Sequence, residues 1–154
     1  MPVDIQTRCA ELIELFDHAP IKHHFGMIFS YDEHGNAIFD LPYNPHLNHA
    51  FGDVHGGALA TIFDNAGWFT VATRYDMWVA TADLHMRLLD QVHRADLRAT
   101  GRLVRAGKKL AVAEMEIRSA DDRLIAVGTG GFAVTNQPFD IENVRRRWAQ
   151  PSDT

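Results

Sequence analysis

One stretch constrains this chain more than any other: Gly52-Asp53-Val54-His55-Gly56-Gly57-Ala58-Leu59-Ala60-Thr61-Ile62-Phe63-Asp64-Asn65-Ala66-Gly67-Trp68-Phe69. It opens on a glycine-rich turn and continues as a helix, over about residues 57–73, that is apolar nearly all round, interrupted mainly by Thr61, Asp64 and Asn65. A helix apolar on every face is one that a protein buries. A carboxylate in such a helix loses its hydration and costs several kcal/mol unless something pairs with it, so Asp64 is marked for chemistry rather than packing. The glycines at the head allow another backbone or a ligand to approach the free N–H groups of a helix N-terminus, where negative charge is favoured. That end is suited to stabilising a developing oxyanion.

The flanking sequence says what covers this helix. Residues 4 to about 17 place Ile5, Cys9, Leu12, Ile13 and Phe16 at helical spacing, with Asp4 positioned as the cap, and the pattern ends near His18-Ala19-Pro20. Residues 24–29 and 37–41 suit two strands of a hairpin, with turn chemistry in Asp32-Glu33-His34-Gly35-Asn36 between them. A polar, proline-marked loop, residues 42–49, leads into the central stretch. After it, residues 77–89 alternate, with Trp78, Ala80, Ala82, Leu84, Met86 and Leu88 on one side and Thr81, Asp83, His85 and Arg87 on the other. Strands follow over about 96–104, 110–118 and 124–134, and Gly128, Gly130 and Gly131 predict a bend or close backbone approach in the last. The tail, residues 136–154, shows no strong pattern, and reads either as a short helix or as partly disordered. The order predicts a single α+β domain over residues 1–154, with a core at about 20–135, in which a meander of four antiparallel strands wraps the buried helix.

Composition removes several classes of function. With 15 Lys and Arg against 20 Asp and Glu, and no long basic run, nucleic-acid binding is not expected. Cys9 is the only cysteine, which excludes an intramolecular disulfide or a thiolate metal site and fits a reduced, cytoplasmic setting. No apolar run approaches the ~20 residues of a membrane span, and Met1-Pro2-Val3-Asp4 lacks a signal-peptide pattern. The histidines, including His23, His24, His46 and His49, do not assemble a three-ligand set with a carboxylate on one element, so no metal is expected. No serine lies in the central stretch and Cys9 sits on the first helix, so a serine or cysteine nucleophile has no support.

Spacing alone bears on assembly. Gly57 and Asp64 are seven residues apart, hence on one helix face but about 10 Å apart along the axis. One carbonyl needs oxyanion donors and a base or nucleophile each within about 3 Å. Two antiparallel copies related by a two-fold axis can bring the glycine end of one helix to the Asp64 of the other, which predicts a site at a homodimer interface.

The string Gly52-x-x-His55-Gly56-Gly57, followed by six residues and Asp64, resembles the signature of hotdog-fold acyl-CoA thioesterases of the phenylacetate-degradation (PaaI) type. The resemblance covers roughly residues 20–135 and takes in Thr81-Ala82-Asp83-Leu84 and Gly107-Lys108-Lys109-Leu110-Ala111. It implies a long helix wrapped by a curved antiparallel sheet, an active dimer that often pairs into a homotetramer, and hydrolysis of acyl-CoA with no cofactor beyond the coenzyme A of the substrate. It further implies that the N–H of Gly57, with that of Gly56, polarises the thioester carbonyl. Asp64 of the partner subunit would activate water or attack directly, and Thr81 would position the water. The family often has an asparagine six residues before the motif histidine; this chain has His49 there and Asn48 one position earlier. Either Asn48 reaches that role through a shifted loop or His49 replaces it.

Plainer readings stand beside these, among them Asp64 as a helix-interior carboxylate satisfied by Thr61 or by a capping partner. His55 either fixes its turn or orients substrate, ahead of acting as a base. Gly56 and Gly57 also suit close helix–sheet packing, and Trp68 suits the core as well as an acyl pocket. Lys108 and Lys109 are candidates for the coenzyme A phosphates, or simply solvated charge. Two rival functions use the same residues: a hotdog enoyl-thioester hydratase or dehydratase working through His55 and Asp64, and a non-catalytic acyl-CoA-binding module.

Overall fold

The computed structural model describes residues 4–150. Residues 151–154 of the predicted tail lie outside that range. The elements, in order, are α1 (Ile5–Asp17), α2 (Pro20–Phe25), β1 (Ile28–Tyr31), β2 (Ala37–Leu41), a 3-10 turn (Pro45–Leu47), α3 (Gly56–Ala72), β3 (Met77–Leu88), β4 (Leu97–Ala106), β5 (Leu110–Ser119), β6 (Leu124–Pro138) and α4 (Ile141–Trp148). Asp4 caps α1 as its sequence predicts, accepting from the Thr7 N–H at 3.1 Å.

The six strands form one antiparallel sheet in the order β1-β2-β4-β5-β6-β3. α3 lies across it, packed against β2, β3, β4, β5 and β6. Helix and sheet approach closely where Gly101 of β4 meets α3: a Cβ there would fall 2.2 Å from the Ala66 carbonyl oxygen. Ile62, Phe63 and Ala66 of α3 are fully buried with Phe39, Ala99, Ala113 and Phe132 of the strands. α1 is held to this core by an aromatic cluster in which Phe16 meets Phe29, Phe39 and Phe69 edge-on at 5.0–5.6 Å between centroids.

Three expectations are corrected. β3 does not begin a four-strand meander; only β4, β5 and β6 run in sequence, and β3 pairs with β6 at the sheet edge. Residues 24–25 end the short helix α2, whose start Pro20 favours, rather than opening a strand, and the first strand is β1. Of the two readings open for the tail, the short helix is the one present: α4, eight residues, capped by Asp140 through the N–H groups of Glu142 and Asn143. The single polar side read for residues 77–89 is also wrong. Register shifts between Met77 and Val79 and between Thr81 and Asp83 interrupt the alternation. Before the second shift Val79 is buried and Thr81 meets α3, whereas after it Leu84 and Met86 pack on the core. A bulge exchanges the faces of a strand, and that is what turns Thr81 toward the helix. The close approach predicted at the glycines of residues 128–131 is present, since a Cβ on Gly128 would lie 1.8 Å from the His85 carbonyl oxygen of β3.

Candidate active site

Two cavities lie beside α3, and the predicted residues divide between them. The first, about 440 Å³, contains Asp64, Asn65 and Trp68 of α3, Thr81 and Trp78 of β3, the α1–α2 corner and Trp148 of α4. Its volume is within the range of small-molecule pockets, and its lining is mostly apolar. Asp64 sits there half-buried, and the Thr81 hydroxyl donates to its Oδ1 at 2.8 Å. Burial pushes the Asp64 carboxyl above the ordinary carboxylate range, and the Thr81 hydrogen bond opposes that rise. A carboxylate poorly solvated and held by one hydroxyl is a stronger base than one in water. The indole Nε1–H of Trp68 donates to the Val79 carbonyl at 2.9 Å, and its ring packs against Trp78 at 5.0 Å.

The second cavity, about 400 Å³, lies at the head of α3 and contains His49, Asp53, Val54 and Gly56 with Leu88, Leu89 and Val92. His55 is the N-cap of α3: its Nδ1 accepts from the Gly57 N–H at 2.8 Å. The Gly57 N–H therefore has a partner within the chain, whereas no group among the described residues accepts from the Gly56 N–H. An Nδ1 that accepts must be unprotonated, so a neutral His55 carries its proton on Nε2 and presents a donor there. A Cβ on Gly57 would come 3.0 Å from that Nδ1, and one on Gly56 would come 3.1 Å from Leu88 Cδ1, so the cap and close packing both bear on these glycines.

Of the two candidates in the preceding loop, His49 lines the second cavity, its Nδ1 accepting from the Phe51 N–H at 3.1 Å. The Asn48 side chain turns to the Tyr43 hydroxyl at 3.3 Å, and its Oδ1 is buried without a hydrogen bond. Lys108 and Lys109 occupy the exposed β4–β5 turn. That turn is anchored by the Tyr75 hydroxyl on the Gly107 carbonyl, just past the C-terminal end of α3. Among the described residues no three His, Cys, Asp or Glu side chains are grouped as a metal site, and no helix is long and apolar enough to cross a membrane.

Within one chain, then, Asp64, Thr81 and Trp68 are together, and Gly56 and His49 are together in a different cavity. The sequence reading missed the contributions of Trp78, His18, Ile21 and Trp148 to the Asp64 cavity. Trp78 and Trp148 are conspicuous as residues, but which helix end meets which face is set by tertiary packing, and no local pattern carries it.

A long helix laid across a single antiparallel sheet, with a desolvated carboxylate in its middle and a glycine head, is the hotdog arrangement seen in thioester hydrolases. Comparison with known proteins agrees: a family model described as "Thioesterase superfamily" matches residues 51–126. A protein of Halobacterium salinarum, provisionally named an esterase, is 37% identical over 113 residues, covering 65% of this chain and 74% of that protein. A Saccharolobus solfataricus protein with the same provisional name is 27% identical over 103 residues, covering 66% and 74%. Among solved structures, the Escherichia coli PaaI protein from the phenylacetic acid degradation operon superposes with a TM-score of 0.79 at 15% identity, over 90% of this chain and 99% of that one. The chain belongs to the thioesterase superfamily, and its general chemistry is ester or thioester hydrolysis.

Proposed function

We propose that this protein is an acyl-CoA thioesterase whose site forms between two antiparallel copies of α3. The observation that carries the reading is Asp64, a half-buried carboxylate raised in pKa, bonded by Thr81 and facing an apolar cavity. Nothing in the packing of α3 calls for a charge at that position, and a base for a water or acyl carbon does. Its separation of about 10 Å from the glycine head supports a site completed by a second copy.

β3 is suited to that assembly. It is 12 residues long, pairs among the described residues only with β6, and leaves its outer edge open there with Ala80, Thr81, Ala82 and Asp83 exposed. An open edge of that length is a template for pairing with another strand, and an antiparallel β3–β3 contact gives a two-fold axis. In such a dimer the Gly56 N–H of one subunit is the ready oxyanion donor. The Gly57 N–H joins it when His55 yields its place to the substrate carbonyl. His49 and the Nε2–H of His55 then orient the substrate, while Asp64 of the other subunit draws a proton from water held by Thr81, or attacks the acyl carbon itself. The leaving thiolate, with a pKa of ~8.5 as a free thiol, needs no dedicated acid. Lys108 and Lys109 stand at the end of the molecule opposite the glycine head, where they would meet coenzyme A phosphates.

The test is hydrolysis of a panel of acyl-CoAs followed with a thiol-detecting dye, together with the oligomeric state in solution. Turnover that disappears in Asp64→Asn without loss of the dimer supports the reading. Equal turnover in that variant, or a monomer that is fully active, contradicts it. Water addition to an enoyl-CoA would instead favour the hydratase, and tight acyl-CoA binding without turnover would favour a binding module.

A further inference from the structure

This inference rests on the acyl-CoA thioesterase reading and concerns the length of the acyl group. The chain has three tryptophans, Trp68, Trp78 and Trp148, and all three line the cavity that holds Asp64. Trp68 and Trp78 belong to the wrapped helix and the sheet, and they fix one wall against each other and against Phe69, 4.7 Å from Trp68. Trp148 comes from α4, outside that core. Its indole lies flat on the His18 ring, with centroids 3.7 Å apart and planes 7° from parallel. One turn earlier, Arg145 donates to both carboxylate oxygens of Glu14 at 2.6 Å each, and it also pairs with Glu142. The two terminal helices are thereby joined, and with Leu15, Ala19, Pro20 and Ile21 of the α1–α2 corner they supply the remaining apolar wall.

The cavity that holds Asp64 offers an acyl chain room between these two walls. The first wall is set by core residues with little room to move: Phe69 is buried, and Trp68 is pinned by its hydrogen bond to Val79. The second is a surface helix that buries Ile141 at its start and is held at its far end by the Trp148–His18 ring stack and the exposed Arg145 ion-pair cluster. On that side Trp148 is the largest side chain lining the cavity, beside Leu15, Ala19, Pro20 and Ile21.

We propose that Trp148, seated on His18, is the residue that sets acyl-chain length, closing the cavity to long acyl groups. Pocket walls of this kind discriminate steeply, because each methylene accommodated or refused changes kcat/KM by about tenfold or more. Trp148→Ala removes the wall, and Trp148→Phe keeps a flat ring to lie on His18. Arg145→Ala loosens α4 through a contact that touches no part of the cavity.

The experiment measures kcat/KM and Kd for a series of straight-chain acyl-CoAs of increasing length. Binding is read from the emission of the tryptophans that line the pocket. The expected result is that Trp148→Ala and Arg145→Ala raise kcat/KM and affinity for the long homologues about tenfold or more relative to the short ones. Trp148→Phe keeps the wild-type length profile. An identical length profile in Trp148→Ala and wild type, in turnover and in Kd, overturns the inference while leaving thioester hydrolysis in place. If neither protein hydrolyses any acyl-CoA, the proposed reaction fails, and the length dependence of Kd still decides the role of Trp148.

Discussion

Thr81→Val removes the hydroxyl that donates to Asp64 while keeping a β-branched side chain of the same shape in β3. Among the described residues no other group donates a hydrogen bond to that carboxylate, and desolvation is already raising its pKa. A hydrogen bond to a charged acceptor contributes roughly 1.5–3 kcal/mol, and because Thr81 is exposed, water replaces part of it, leaving about 1 kcal/mol. Without that hydrogen bond to oppose desolvation, the carboxyl of the variant rises further. The assay is the pH dependence of kcat/KM for acyl-CoA hydrolysis, whose acid limb reports the base of the free enzyme. In wild type that limb falls above the ordinary carboxylate pKa of ~3.9, and in Thr81→Val it moves to higher pH. Stability follows with a definite sign. A carboxyl whose pKa is raised by folding binds its proton more tightly in the native state. The stabilisation this gives is complete below the unfolded pKa and is lost as pH rises through the folded one. Thr81→Val is therefore less stable than wild type by about 1 kcal/mol at neutral pH, and the gap closes in acid. Thr81→Ser keeps the donor and the wild-type limb. An acid limb that stays in place or moves down in Thr81→Val refutes the reasoning, as does a stability gap of the same size at low pH.

Other outcomes follow from the same geometry. Asp64→Asn lowers kcat by about 10²–10⁴-fold, the range of general-base catalysis, and raises the urea midpoint at neutral pH because the amide has no charge to desolvate. His55→Ala removes the cap on Gly57, lowers stability by about 1 kcal/mol in denaturant titration, and leaves the acid limb where it was, since the proposed base is Asp64. Gly101→Ala drives a methyl group into the Ala66 carbonyl at 2.2 Å and costs about 1–3 kcal/mol or more, read as a lowered Tm.

The central helix was legible in the sequence because its evidence is local. A continuous apolar run can only be buried, and the glycine head and Asp64 stand out against it without knowledge of any neighbour. Periodicity located most strands, and seven residues at a fixed rise per residue separated the glycine head from Asp64. What local pattern could not carry was whatever depends on one segment meeting another. The pairing of β3 with β6 joins residues about fifty positions apart. The bulge at Thr81–Asp83 reverses an alternation that reads as regular in the sequence, and only through that reversal does Thr81 reach Asp64. The imidazole of His55 turns back onto Gly57, which a string of residue names does not reveal. His18 and Trp148, 130 positions apart, become one wall of a cavity only when the two ends of the chain pack together. Helix identity and charge placement are set by residues within a few turns of one another, so the sequence alone determined the element and its unusual carboxylate. The surroundings of that carboxylate are long-range contacts, and those the tertiary structure decided.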